Sequence, residues 1–415
     1  MPTPIFKKIA PEHWFMLSAL VVNAGNYAYN LILGRILGPQ QFADAAILIT
    51  LLLVLSFVAM TFQLATAKFS VLFEAEVFSN FISSMYKYAL LVGVLLGIGI
   101  VVSANRLQTI FNTQTALMFV VFGVGVPLYF IMSVNRGILQ GKNRFGKLAF
   151  TYQTEMLSRL LLTVALLLFL RNESSLLVAM GILISLVFGI FPLAKEKISF
   201  KKITAFTTEH RRHIKKFFWL TAFYELSQIV INNSDILLVK HYFEAYEAGL
   251  YASLALIGRV VYFVAWMFVM ILLPKVVTLH KEGKPTVPVL SKYVVYIGLL
   301  ALGIVLACYL FPTIVVQLLF GNAYVSIAPL LWKYAIATSL FAISNIFAYY
   351  FLSLDVYIPV ILSAILGVAQ VVLIFLFHDS LLQVVLVQIY AMAILLAVQL
   401  IYFFGFSKRS TTITT

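Results

Sequence analysis

The sequence predicts an all-α polytopic membrane protein, with about twelve transmembrane helices in two pseudo-symmetric six-helix bundles around a central cavity. Of its 415 residues, 62% are hydrophobic and only 11% are charged, and the mean hydropathy is +1.02. A soluble protein carries roughly 25% charged residues, so this chain has too little polar surface to be one. Its apolar runs are continuous rather than alternating, which favours helices over a barrel.

Twelve apolar runs are long enough to cross a bilayer, since a helical span needs about 20 mainly apolar residues. They are 14–34, 43–67, 83–104, 116–136, 147–170, 175–193, 217–240, 248–274, 289–311, 327–350, 357–377 and 381–405. The first follows Lys7 and Lys8, as in a signal peptide, but it contains three asparagines and lacks a small-residue cleavage site. We therefore interpret it as a retained first span.

The basic residues predict that both termini lie in the cytoplasm. With that orientation, few of the 29 lysines and arginines fall in outer loops, and those are Arg35, Arg106, Arg171 and Lys240. The positive-inside rule favours this arrangement. Anionic lipid of the inner leaflet attracts the cations of the cytoplasmic segments. The net charge of +14 therefore requires no nucleic acid as a partner.

The longest connection, 194–216, is strongly basic and is predicted to link a six-helix bundle at 1–193 to another at 217–415. Residues 23–46 and 228–251 share one order of features, namely a span with a polar stripe, a basic residue, a short turn and a new helix. A six-span unit repeated in the same orientation is typical of transporters, with the substrate between the repeats.

Each predicted bundle begins with a span that carries polar side chains along one face. They are Asn23, Asn26, Tyr27 and Asn30 in the first span, and Glu225, Gln228, Asn232 and Asp235 in the seventh. Polar groups inside a membrane are costly, so the stripes indicate either an aqueous cavity or hydrogen bonds that hold the helices together. The two carboxylates favour the cavity, because an ionised group needs water or a partner.

Three cations and one further acid also fall within predicted spans. Glu155 and Arg159 are four residues apart, a spacing that suits an ion pair on one helix. No carboxylate lies one turn from Arg259, which predicts an unpaired guanidinium near mid-membrane and hence a good phosphate ligand. Lys333 lies near the outer end of its span and can reach the interface. We predict substrate contacts for all three cations.

Metal chemistry, a cofactor and enzyme activity are not expected. The single cysteine, Cys308, lies in an apolar run, so no disulfide forms within the chain. The six histidines lack a metal-ligand spacing such as HExxH. No loop is long enough to fold a catalytic domain.

Five motifs in chain order resemble those of one family. GRILGPQQFADAA follows the first span, RGILQGKNRFGKLA joins the fourth and fifth, and SDILLVKHYFEAYEAGLYASLALIGR occupies 234–259. LLPK and LFGNAYVSIAPLL follow at 272–275 and 319–331. Together they resemble the polysaccharide transporter family, the Wzx-type flippases of the multidrug/oligosaccharidyl-lipid/polysaccharide (MOP) superfamily. Ala43-Asp44 departs from the family pattern, which usually has glycine and an aromatic residue there.

The resemblance implies a flippase that works by alternating access during surface polysaccharide (for example O-antigen) biosynthesis. Such proteins move an undecaprenyl-diphosphate-linked oligosaccharide from the inner to the outer leaflet of the bacterial inner membrane. The diphosphate would meet Arg159, Arg259 or Lys333, and the sugar would meet the polar stripes. Membrane lipids, a polysaccharide polymerase and the chain-length machinery are the further partners that the resemblance implies.

Related transporters use a proton or sodium gradient. Our candidates for such coupling are the intramembrane carboxylates Glu225, Asp235 and Glu155, because a carboxylate in this setting can change its protonation state.

Two other function classes stay open. An ion-coupled multidrug exporter of the same superfamily would need carboxylates in its cavity and few cations, whereas the acids and bases in these spans are balanced. A membrane enzyme, such as a polymerase or a lipid-linked glycosyltransferase, usually carries a sizeable outer loop. The predicted outer loops here are short and nearly uncharged.

Overall fold

The computed structural model describes residues 11–73, 75–170, 174–194, 208–354 and 356–412. Within these residues the chain is helical and contains no strand, so the predicted all-α fold is confirmed. Lys7, Lys8 and most of the predicted linker, 195–207, lie outside the described residues.

The helices before the predicted linker are α1 (Pro11–Leu72), α2 (Ala75–Val102), α3 (Ala104–Phe111), α4 (Leu117–Gly141), α5 (Phe145–Phe169) and α6 (Ser174–Ile190). The helices after it are α7 (Thr208–Tyr242), α8 (Ala245–Gly258), α9 (Val260–Lys281), α10 (Val287–Leu310), α11 (Pro312–Leu319), α12 (Leu331–Ser353), α13 (Ile358–Leu376) and α14 (Leu381–Thr412). A 3-10 helix, Asn322–Leu330, lies between α11 and α12.

Eight helical segments of the described chain are long and apolar enough to cross a membrane. One of them, Leu17–Leu72 in α1, covers most of the first predicted span and all of the second. Three predicted spans are not among these eight segments. They correspond to α6, which has only 17 residues, and to α7, whose polar stripe lowers its hydropathy. The third corresponds to α8 together with α9. The chain is a multi-pass membrane protein.

A single residue, Gly38, replaces the turn that the sequence predicts between the first two spans. Gly38 has φ 69° and ψ 173°, outside the helical range, while α1 continues on both sides. The positive φ favours glycine, since an L side chain is strained there. Pro39 follows and lacks the N–H that would continue the hydrogen-bond ladder. α1 is therefore two helical segments that meet at a kink.

Arg259 separates two helices where the sequence predicts one span, 248–274. α8 ends at Gly258, and α9 begins at Val260. The Arg259 N–H still donates to the Ala255 carbonyl over 3.1 Å. The Gly258 carbonyl accepts from Thr338 Oγ1 of α12 at 2.7 Å, so a side chain satisfies a backbone group at the break.

The chain divides into two compact units. The first unit comprises residues up to Leu37 together with Leu51–Leu226, and the second comprises Gly38–Thr50 together with Ser227–Thr415. The start of the second segment of α1 thus belongs to the second unit. The domain boundaries that the sequence suggests, 1–193 and 217–415, remain predictions.

In the first unit, small residues let helices approach closely. A Cβ placed on Gly97 of α2 would lie 2.6 Å from the Gly123 carbonyl oxygen of α4. A Cβ on Gly137 would lie 2.5 Å from the Gln63 carbonyl oxygen of α1. Close backbone approach through glycine is a common way of packing helices in membranes. It brings α4, which carries Arg136, against its neighbours.

In the second unit, α12 lies at the centre and contacts α8, α9, α10, α13 and α14. Ile346, Phe347 and Phe351 of α12 are buried in one apolar cluster with Val261 and Leu272 of α9. The first half of α12 is also buried, and there its side chains include the polar groups Tyr334 and Thr338. The centre of this unit therefore combines apolar packing with a polar site.

Candidate functional site

A buried ion pair joins α7 to the break between α8 and α9 in the second unit. Arg259 Nη2 lies 2.8 Å from Asp235 Oδ1, and the two residues are only 9% and 1% exposed. Arg259 Nη1 also donates to Asn233 Oδ1 at 3.4 Å. The guanidinium is therefore bound to two side chains of α7.

Three neutral donors complete the shell of the Asp235 carboxylate. Its Oδ2 accepts hydrogen bonds from Tyr334 OH at 2.8 Å, Gln388 Nε2 at 3.1 Å and Tyr251 OH at 3.2 Å. Gln388 also donates to the Tyr251 hydroxyl. We call these five residues, Asp235, Arg259, Tyr251, Tyr334 and Gln388, the Asp235 network. One acid and one base make the network neutral, and its carboxylate is fully hydrogen-bonded.

The expectation that Arg259 is unpaired is wrong. Its carboxylate partner is not one turn away on its own helix but on α7, 24 positions earlier in the chain. A buried guanidinium paired in this way has already exchanged its water for protein oxygens. It is less available to a phosphate than a free guanidinium.

The first unit contains a second buried cluster, in which two arginines share one carboxylate. Glu155 Oε1 pairs with Arg159 of the same helix, which confirms the predicted i,i+4 ion pair. Glu155 Oε2 lies 2.7 Å from Arg136 Nη2 of α4. We call Arg136, Glu155 and Arg159 the Glu155 cluster. With two bases and one acid, it carries a surplus positive charge.

Neutral groups hold both arginines of the Glu155 cluster. Arg136 Nε donates to Thr151 Oγ1 at 3.1 Å, and its Nη2 donates to the Thr151 carbonyl at 3.0 Å. The Arg136 guanidinium also lies 3.9 Å from the centre of the Tyr152 ring, a cation–π contact. Arg159 Nε donates to Ser185 Oγ of α6 at 3.3 Å. These contacts fix the geometry but do not cancel the surplus charge.

A fourth buried ion pair explains the departure from the family motif at Asp44. Lys240 Nζ lies 2.9 Å from Asp44 Oδ1, and both side chains are 2% exposed. Asp44 is in the segment of α1 after the kink, and Lys240 is in the last turn of α7. The unusual acid at position 44 therefore compensates a buried lysine.

In each polar stripe an asparagine side chain donates to the backbone carbonyl one turn earlier on its own helix. Asn30 Nδ2 donates to the Asn26 carbonyl, and Asn232 Nδ2 donates to the Gln228 carbonyl, each at 2.8 Å. Asn26 Oδ1 and Gln228 Oε1 are buried and accept no hydrogen bond within the described part of the chain. Asn23 is exposed, and Tyr27 is half-buried.

Glu225 and Lys333 are the remaining predicted site residues. Glu225 is half-buried, and no described residue forms a hydrogen bond or an ion pair with it. Lys333 is half-buried at the start of α12, with its Nζ 5.6 Å from the centre of the Trp332 ring. Among the described residues, no group of three His, Cys, Asp or Glu side chains is placed to hold a metal.

Several polar residues of these clusters were not singled out from the sequence as site residues. They are Asp44, Arg136, Lys240, Tyr251, Tyr334 and Gln388. The sequence does offer a signal for Arg136. It ends the predicted span 116–136, and Glu155 lies in the next predicted span, 147–170, after one short loop. For the tyrosines and Gln388 the sequence offers none, since their partner lies on a distant helix.

Sequence comparison identifies the family. Residues 32–329, well over half of the chain, match the polysaccharide biosynthesis protein family. The chain belongs to this family. The resemblance drawn from its motifs is thereby confirmed. No curated protein matches the chain significantly by sequence.

Solved structures show the fold of the chain. An inward-facing multidrug resistance MATE family transporter of the MOP superfamily superposes with a TM-score of 0.78 at 13% identity, over 93% of this chain and 96% of that one. Lipid II flippase MurJ, in an inward closed conformation, gives 0.75 at 15% identity, over 94% and 87%. A MOP superfamily transporter from Pyrococcus furiosus gives 0.55 at 14% identity, over 94% and 93%. The fold is that of MOP superfamily transporters.

Proposed function

We propose that the protein is a flippase for an undecaprenyl-diphosphate-linked oligosaccharide in surface polysaccharide biosynthesis. It would move this lipid from the inner to the outer leaflet of the bacterial inner membrane by alternating access, with both termini in the cytoplasm. Membership of the polysaccharide biosynthesis family over residues 32–329 is the observation that carries the proposal. The fold shared with lipid II flippase MurJ supports a lipid-linked substrate.

The surplus charge of the Glu155 cluster makes it our preferred contact for the diphosphate. Arg159 is the more exposed of the two arginines, with 12% of its side chain exposed against 5% for Arg136. A guanidinium with a donor to spare binds phosphate oxygens strongly. Arg259 is bound to Asp235 and becomes a weaker candidate. Lys333 stays a candidate for a second phosphate contact.

The polar stripes are our proposed contacts for the sugar. Their members are Asn23, Asn26, Tyr27, Asn30, Gln228 and Asn232. The acceptor oxygens of Asn26 and Gln228 have no donor within the described residues. Sugar hydroxyls are donors that could supply those hydrogen bonds.

Complementation of a gene deletion tests the flippase proposal. Deletion is expected to trap the lipid-linked oligosaccharide in the inner leaflet and to remove the surface polymer, and the intact gene should restore both. The readouts are the amount of lipid-linked oligosaccharide, its accessibility from the outer side and the surface polymer. A deletion strain with a normal precursor level and normal polymer contradicts the proposal.

The variant Arg159→Gln tests the proposed diphosphate contact. It removes the surplus charge but leaves Glu155 paired with Arg136, so the protein is expected to reach the membrane in normal amount. Loss of a charged hydrogen bond predicts a fall in transport of about tenfold or more. The matched control is Lys147→Gln, which removes one exposed charge from the same helix. Full activity of Arg159→Gln at equal abundance would rule out this contact while leaving the flippase proposal intact.

Glu225 is our preferred residue for coupling to a proton or sodium gradient. Asp235 and Glu155 are each held by a cation, whereas Glu225 is half-buried and free of partners in the described chain. Glu225→Gln is expected to remove the dependence of transport on the gradient, measured in vesicles with imposed proton and sodium gradients. Asp235→Asn is not expected to remove it selectively. An unchanged gradient dependence in Glu225→Gln refutes this role.

The similarity to a MATE family transporter supports a second candidate, an ion-coupled multidrug exporter. Overexpression would then raise resistance to cationic drugs, and Arg159→Gln would leave that resistance unchanged. We favour the flippase because the family concerns polysaccharide biosynthesis and because the Glu155 cluster is positive, which disfavours a cationic substrate. We propose a transporter rather than an enzyme on the same grounds.

A further inference from the structure

A basic face at the start of α7 points to an interaction that is separate from the transported substrate. Arg211, Arg212, Lys215 and Lys216 are exposed, and none forms an ion pair within the part of the chain that the structure describes. At about 100° per residue, they cover about 140° of the helix circumference. Trp219 lies near the middle of the same face and is 72% exposed. We call these five residues the basic face.

The other side of these turns packs within the first unit, to which residues up to Leu226 belong. The Phe218 ring lies 5.0 Å from the Phe62 ring, and the Phe217 ring lies 6.1 Å from the Phe69 ring, both edge to face. Lys68 Nζ lies 4.1 Å from the centre of the Phe217 ring. The basic face is therefore held in place by a packed helix.

Lys68 also indicates the depth of the basic face in the membrane. From 45 to 67, α1 carries no charged residue, and Lys68 ends that uncharged stretch. A helix of this length matches a hydrocarbon thickness of about 30 Å. Since Phe217 contacts Lys68, the cations before Phe217 lie just beyond the hydrocarbon, at the level of the lipid headgroups. Trp219 then lies at the boundary, where indole rings concentrate.

We propose that the basic face binds the headgroups of anionic phospholipids. Guanidinium and ammonium groups donate strong hydrogen bonds to phosphate oxygens, and clustered cations next to a membrane span attract anionic lipid. The exposed indole of Trp219 would pack against the upper acyl chains of the same lipids. An acidic soluble protein could pair with the four cations, but it would not contact Trp219 at the membrane boundary. The charge, depth and exposure of the basic face therefore favour a lipid.

Fluorescence quenching of Trp219 in the reconstituted full-length chain tests the proposal. The other three of the four tryptophans are replaced by phenylalanine. Vesicles contain phosphatidylglycerol and phosphatidylcholine in fixed ratio, with brominated acyl chains on one lipid or the other. Brominated phosphatidylglycerol is expected to quench more strongly, with an enrichment on the order of threefold over its bulk fraction. At about 1 M salt the enrichment should disappear, because the screening length falls to about 3 Å.

A pair of charge-matched variants identifies the residues responsible. R211Q/R212Q/K215Q/K216Q is expected to lose the enrichment at low salt. The control K147Q/K275Q/K284Q/K292Q removes four exposed lysines outside α7 and is expected to keep it. Equal quenching by the two brominated lipids at low salt, in the chain with its cations intact, overturns the proposal. Quenching by neither lipid also overturns it and places the face outside the bilayer.

Discussion

The Asp235 network and the Glu155 cluster use similar side chains but differ in charge balance. Asp235 has one cation, Arg259, and three neutral donors around it. Glu155 has two cations and no neutral side-chain donor on its carboxylate among the described residues. The first arrangement is neutral and closed, whereas the second keeps a positive charge. Burial of an arginine therefore does not by itself indicate a substrate contact, and the local sum of charges is the better guide.

The two sites also differ in what they do for the backbone. Arg259 occupies the break between α8 and α9, and its pairing with Asp235 ties that break to α7. Arg136 and Arg159 lie within continuous helices. The Asp235 network is thus expected to determine the stability of the second unit, while the Glu155 cluster is expected to serve function at a smaller cost in stability.

The largest expected effect separates the two sites directly. Arg259→Leu leaves Asp235 as a buried charge without a cation, which is expected to destabilise the protein by about 3–5 kcal/mol. Arg159→Leu leaves Glu155 paired with Arg136, so a much smaller loss is expected. Thermal unfolding of the detergent-solubilised variants measures both. Equal losses for the two variants would contradict the difference drawn between the sites.

Adding Asp235→Asn to Arg259→Leu provides the internal control. The double variant removes both charges, so it should recover a large part of the stability lost by Arg259→Leu. If the double variant is less stable than Arg259→Leu alone, the loss does not come from an uncompensated carboxylate.

A second, smaller effect concerns the packing behind the Asp235 network. Gly258 lies against the ring of Tyr334, and an added Cβ would come within 2.3 Å of Tyr334 Cδ1. Gly258→Ala is therefore expected to displace that tyrosine from Asp235 and to destabilise the protein by about 1–3 kcal/mol.

The control is Gly298→Ala in α10, where a Cβ meets nothing within 4 Å. There the better helix propensity of alanine predicts no loss of stability. The two unfolding temperatures are compared, and a loss in Gly298→Ala equal to that in Gly258→Ala would refute the packing argument.

The sequence predicted local features of the fold and of the sites better than distant ones. Helical spans follow from composition and run length, and the Glu155–Arg159 pair follows from helical spacing, because both depend on neighbouring residues. The pairing of Arg259 was not predicted, because helical spacing relates residues of one helix only and Asp235 lies on α7. Asp235 and Arg259 have opposite charges and lie in consecutive predicted spans, and this pattern could have predicted their ion pair. The contact between Lys240 and Asp44 joins residues far apart in the chain, so no spacing rule reaches it.

The smallest effect compares two tyrosines with different partners, the buried Tyr334 and the half-buried Tyr152. Tyr334 donates to the charged Asp235 at 2.8 Å, whereas the Tyr152 hydroxyl beside Arg136 bonds to the neutral amide of Gln63 at 3.0 Å and 3.2 Å. A hydrogen bond to a charged group contributes about 1.5–3 kcal/mol, against about 1 kcal/mol for a neutral pair. Because Gln388, Tyr251 and Arg259 still hold Asp235, we place Tyr334→Phe at the lower end, about 1.5 kcal/mol. Tyr152→Phe should lower the free energy of unfolding by less, since its ring keeps the cation–π contact with Arg136.

Chemical unfolding of both variants gives the comparison. A greater loss in Tyr152→Phe than in Tyr334→Phe would mean that the ring contacts of the Glu155 cluster, and not the hydrogen bonds to Asp235, contribute more to stability.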